Sequence, residues 1–212
     1  MSTSVWLQLF FICLVGAMSP GPSLAVVGAN AISKGRLNGI STGIGHGLGI
    51  TLWAFLTAVG IAKIIIETNI VLILAQSLGA SFLLYLGIRT LIEKTDLPTF
   101  HKNKNPISSH LISRAAGEGF LISLLNPKIA LFFLAIFSHF VKPNSEWSEI
   151  AAMGIMAGII DAVWYSFIAI IVSNSGMIPF IKIHESLINR VIGGFFIFVS
   201  FYLFITLTIN LL

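Results

Sequence analysis

Six blocks of apolar sequence, each of about 20 residues or more, run through this 212-residue chain with short polar breaks between them. At about 1.5 Å per residue, a helix of that length crosses the ~30 Å hydrocarbon layer of a bilayer. Charged residues make up 9% of the chain, against roughly 25% in a soluble domain, so a water-soluble fold is excluded. The reading is a polytopic helical membrane protein. The 12 Lys and Arg and 8 Asp and Glu leave no basic face for nucleic acid, and the single cysteine, Cys13, forbids an intramolecular disulfide or a multi-thiolate metal site.

Hydropathy and polar breaks place the spans near 5–29, 40–66, 70–92, 117–141, 149–173 and 187–211. No Lys or Arg precedes Lys34, so the first apolar run lacks the charged leader of a signal peptide and is expected to remain as span one. The connections after spans one, three and five hold Lys34, Arg36, Arg89, Lys94, Lys102, Lys104, Arg114, Lys182 and Arg190, nine of the 12 basic residues. The opposite side has Lys63 and Lys142, and Lys128 falls inside span four. By the positive-inside rule both termini face away from the cytoplasm. Residues 93–116 are polar and contain proline, and read as a cytoplasmic linker between a first three-helix half, 1–92, and a second, 117–212.

The halves carry matching marks. Gly43, Gly47 and Trp53 in span two recur as Gly154, Gly158 and Trp164 in span five, 111 residues on. Pro20 and Pro22 in span one correspond to Pro127 in span four, and Gly79 and Phe82 in span three to Gly193 and Phe196 in span six. Three ordered matches at nearly one displacement suggest a duplicated unit, and an odd number of spans per unit makes the copies insert with opposite orientation. The fold class expected is an all-α membrane protein of six transmembrane helices, built as two inverted three-helix repeats with helices one and four broken by proline. The alternative for the glycines is helix packing alone.

The breaks carry the chemistry. Pro20 and Pro22 around Gly21 release the carbonyls of Gly16 and Met18, and in hydrocarbon such groups are tolerated only against protein or a wet cavity. A half-helix restarting at Pro22 and Ser23 offers amides and a positive dipole end to a carboxylate. The alternative is a packing kink. In span four, Asn126 and Pro127 precede Lys128, a cation deep in the layer, and Asp161 lies near the centre of span five. Both fall ~20 Å below the same surface, so they are expected to be able to meet. Snorkelling to the headgroups is the alternative for Lys128, and a structural ion pair or protonated carboxyl for Asp161. Asp161 and His46, the latter between Gly45 and Gly47, are the candidates for proton coupling; His46 could equally hydrogen-bond a substrate or serve in packing or a plain interhelical hydrogen bond. Asn30 and Asn126 are candidates to satisfy broken backbone, and Trp53 and Trp164 read as packing or cavity walls.

No GxGxxG, Walker loop, HExxH, pair of deep carboxylates or Cys/His cluster occurs, so no cofactor and no metal site is expected, and no enzyme. A serine hydrolase within the membrane needs a buried serine beside a histidine base. Ser41 and His46 are the tempting pair, but five residues apart on one helix they face different ways.

Pro20-Gly21-Pro22, then Gly35 and Gly39, the glycine-rich second span, and above all the stretch Gly119 to Phe133 around Asn126-Pro127-Lys128, resemble the lysine exporter and homoserine/threonine resistance exporters, the LysE/RhtB family. That resemblance implies a multi-pass bacterial inner-membrane carrier that expels amino acids, by proton antiport. It carries substrate binding onto Pro20, Gly21, Pro22, Asn126, Pro127 and Lys128, and likens Asp161 to an acidic position in span five of many relatives. Some members have an acid in span two. Here the repeat-equivalent of Asp161 is Ile50, which favours a neutral amino acid over a cationic one. The expected partners are a small amino-acid substrate, protons and the bilayer, with a homodimer allowed. The rivals are a non-transporting scaffold and an exporter of another small metabolite.

Overall fold

The computed structural model describes residues 1–67, 69–92, 109–142, 145–173 and 177–211. Among these the regular elements are eight helices: α1 (Thr3–Met18), α2 (Pro22–Ser33), α3 (Arg36–Glu67), α4 (Asn69–Ile92), α5 (Ser109–Leu124), α6 (Pro127–Phe140), α7 (Trp147–Ser173) and α8 (Met177–Leu211). α3, α4, α7 and α8 are each long and apolar enough to cross a membrane. α1 and α2 form a pair bent by 63°, and α5 and α6 one bent by 59°, giving up to six crossings if each pair is one span. Large apolar side chains such as Leu48, Leu78, Val163 and Phe198 lie exposed on the outside. That is the surface a bilayer requires, and the chain is a membrane protein.

Local chemistry explains both bends. Pro22 opens α2 and Pro127 opens α6, at the helical position where a missing amide costs nothing. Of the carbonyls expected to be released at the first bend, that of Gly16 accepts the Ser19 amide at 3.2 Å. At the second, the Asn126 side chain caps α6 by accepting the Lys128 amide at 3.0 Å. The Leu124 carbonyl, one turn before Lys128, accepts the Trp53 indole N–H at 3.0 Å.

α3 and α7 are the central pair and run antiparallel, since Gly43 meets Tyr165 and Ser166 while Thr51 meets Gly154 and Gly158. At their crossing the contact is reciprocal: a Cβ on Gly47 would lie 2.6 Å from the Gly158 carbonyl oxygen, and one on Gly158 equally 2.6 Å from that of Gly47. Only glycine lets two backbones approach so closely. α4 and α8 repeat the pattern with Gly87 and Gly193. α5 lies on the other side of α3, and α6 packs between α3 and α4. The main apolar core joins α1, α3, α4, α6, α7 and α8, with Leu9, Phe137 and Phe196 fully enclosed. A smaller cluster of Val27, Ala31, Tyr165 and Ala169 seats α2 against α7. Gly35, with φ of 96°, makes the turn from α2 into α3 in a region that favours glycine.

Helix α5 begins at Ser109, ahead of the boundary near 117 read from hydropathy. Arg114 and Glu118 make this stretch look like linker, yet they pair with each other one turn apart. The rest of the expected linker, 93–108, with Lys94, His101, Lys102 and Lys104, lies outside the described residues, as do the side chains of Lys63, His110 and Lys182.

Candidate functional site

A cavity opens where the first bend meets α3, α6 and α7. Its volume is about 50 Å³ for the centres of water molecules, enough for several waters, since one needs roughly 10–15 Å³. Phe132, Phe133, Phe196, Ile50 and Leu86 give it apolar walls. Gly21, Ser23, His46, Asn126, Lys128 and Asp161 supply polar groups.

The cation comes from α6. With its amide fixed by Asn126, Lys128 sends its side chain inward to the opposite bend, where Nζ donates to Ser19 Oγ at 2.7 Å and to the Pro20 carbonyl at 2.9 Å. One carbonyl at the first bend, that of Pro20, is therefore satisfied by a side chain from the second. Lys128 does not run outward to the headgroups. Gly21 lies against it, since a Cβ there would sit 3.6 Å from Nζ.

Facing the cation is a buried chain of three groups. Asp161 Oδ2 on α7 lies 2.6 Å from His46 Nδ1 on α3, and His46 Nε2 lies 2.7 Å from Ser23 Oγ at the start of α2. His46 is 1% exposed, and Ser23 and Asp161 5% each. The Tyr165 ring closes the imidazole edge-on, with centroids 4.7 Å apart. This bears on one expectation. Asp161 and Lys128 share the cavity, but the acid is bonded to His46 and the cation to the first bend. It also changes the reading of serine chemistry: the serine beside His46 is Ser23, on another helix, so a search along one helix misses it.

Of the other candidates, Pro20 contributes its carbonyl, and Pro22 and Pro127 set helix starts. Asn30 is not spent on broken backbone. It donates to Thr42 Oγ1 and to Glu118 Oε2, both at 2.9 Å, in a cluster where Lys34 Nζ and Arg114 Nε also reach Glu118, at 3.0 and 3.2 Å. Trp53 is more than a wall, because it holds the Leu124 carbonyl, whereas Trp164 packs beside α2. Reasoning from sequence missed Ser19 as the partner of Lys128 and Tyr165 as the cover on His46. Tyr165 was findable, four residues after Asp161 on the same helix face. The Ser19 contact spans 109 residues and has no local signal.

These features define an all-helical membrane protein with a polar cavity where two bent helix pairs meet. Residues 14–207 match the LysE type translocator family, and the chain belongs to it, and with it to the membrane transporters. It is 30% identical over 155 residues to the uncharacterized membrane protein YahN of Escherichia coli strain K12, covering 71% of this chain and 67% of that one. An uncharacterized membrane protein of Vibrio cholerae serotype O1 is 28% identical over 166 residues, 77% of this chain and 78% of its own. The uncharacterized membrane protein YrhP of Bacillus subtilis strain 168 is 22% identical over 189 residues, 83% and 89%. No solved structure matches the chain.

Proposed function

We propose that the protein exports small neutral amino acids from the cytoplasm in exchange for protons. The observation that carries this is the pairing of one inward-turned cation, Lys128, with one buried acid, Asp161, across a single cavity. A zwitterion fits that pairing. Its carboxylate would take the place of Ser19 and the Pro20 carbonyl on Lys128 and lie against the α2 start at Gly21, Pro22 and Ser23. Its ammonium would turn to Asp161. Asn126 and Pro127 keep Lys128 aimed at the first bend, and Ile50 in the wall leaves no second acid for a cationic side chain. Protonation of the His46 and Asp161 pair removes the charge that holds the ammonium, which links release outside to proton entry.

Alternating access would come from residues 1–92 and 117–212 rocking as inverted repeats about the linker. The antiparallel Gly47 and Gly158 contact supports this, since those two positions are equivalent by the sequence repeat. The location that goes with this reading is the bacterial inner membrane with both termini on the outer side, and the loop charges support that orientation.

The test is release of a panel of amino acids from dipeptide-loaded cells expressing wild type, Lys128→Ala or no protein, at matched membrane levels. Wild type should speed release of one class at least tenfold over Lys128→Ala. Equal release in all three across the panel would overturn the amino-acid assignment.

A further inference from the structure

The chain Asp161, His46, Ser23 has the order of a serine hydrolase triad, with the acid on Nδ1 and the hydroxyl on Nε2. In a translocator the same order has another use. Resting on the exporter reading above, we infer that Ser23 is a polarity switch, a hydroxyl that turns from acceptor to donor toward the substrate when the His46 and Asp161 pair takes up one proton.

The argument is hydrogen-bond accounting. At 2.6 Å, Asp161 Oδ2 and His46 Nδ1 must share a proton. When the pair carries only that proton and a net charge of −1, Nε2 is bare. Ser23 Oγ, 2.7 Å away, must then donate to it, and the serine oxygen shows its lone pairs to the cavity. A second proton makes the pair neutral and sits on Nε2, whether the shared one rests on Asp161 or on Nδ1. Nε2 now donates to Ser23 Oγ, and the serine proton turns away from the ring, toward the Tyr165 hydroxyl and the cavity.

The cavity therefore presents an acceptor beside a negative pair in one state and a donor beside a neutral pair in the other. The first suits an ammonium group and the second repels it, so substrate amine and proton exclude each other at one place. Burial of Ser23 and His46 leaves the bond between them few competitors.

The charged and titratable groups around His46 are few. From α7 come Asp161 and Tyr165, from α6 Lys128, and from α1 Cys13, all lining the cavity. From α5, which packs on the other face of α3, Glu118 is held by Lys34 and Arg114.

Counterflow of a labelled amino acid in proteoliposomes tests this, run between pH 5.5 and 8.5 without a proton gradient for wild type, Ser23→Ala and Ser23→Thr. Wild type should show one step in half-saturating concentration of at least fivefold. The step should vanish in Ser23→Ala and return in Ser23→Thr. A wild-type step retained in Ser23→Ala overturns the switch while leaving the exporter standing. No counterflow of any amino acid by wild type overturns the exporter, and the switch falls with it. Should both serine variants be inactive, ¹⁵N resonances of His46 decide. Gain of a proton on Nε2 across the wild-type step supports the switch, and a proton on Nε2 at every pH overturns it. Labelling of wild-type Ser23 by a fluorophosphonate would also overturn it, in favour of a nucleophile.

Discussion

Replacing Asp161 with Ala strands a buried imidazole N–H. An unpaired buried donor costs about 1–3 kcal/mol, so Asp161→Ala should lower the thermal midpoint of the detergent-solubilised protein. Asp161→Asn keeps an acceptor for Nδ1–H and should lose less. The double variant His46→Ala with Asp161→Ala should fall short of the sum of the two single losses, because they remove one interaction. Additivity within about 0.5 kcal/mol would mean the two groups are not coupled. The residue scale is also where the sequence is most informative and most incomplete. Lys128 and Asp161 are conspicuous as ions in hydrocarbon, and His46 as a polar group among glycines. Their partners are not legible, since Ser23 to His46 and His46 to Asp161 bridge 23 and 115 residues, and nothing local records such a contact.

Helices meet here through backbone, and that sets which glycines matter. A Cβ on Gly45 would lie 2.0 Å from the Ala116 carbonyl oxygen and one on Gly119 1.9 Å from that of Thr42, so either alanine must push α3 and α5 apart. Overpacking of this kind costs about 1–3 kcal/mol, to be read as a lower thermal midpoint for Gly45→Ala and Gly119→Ala. Gly60→Ala, with nothing within 4 Å, is the control and should be neutral or mildly stabilising. Trp53→Phe keeps the ring but deprives the Leu124 carbonyl of its donor, and should cost about 1–3 kcal/mol by the same assay. Hydropathy makes the apolar lengths plain because each crossing must fill the bilayer. It misplaces the start of α5, because charges that pair one turn apart count as polar in a running average.

For the molecule in its membrane, the loop charges make a prediction independent of the site. A C-terminal alkaline phosphatase fusion should be active and a C-terminal green fluorescent protein fusion dark, with the reverse for fusions made after residue 92. Exchanged signals would invert the orientation read from Lys and Arg. The bond from Lys128 to the Pro20 carbonyl has a consequence for synthesis as well as for transport. A ribosome delivers Pro20 more than a hundred residues before Lys128, so the first half must enter the membrane with that carbonyl still lacking its lysine. Until the second half arrives, the gap has to be met by water or by the insertion machinery. A nascent chain halted at residue 92 is thus expected to stay crosslinkable to the translocon, and to be degraded by membrane proteases once released.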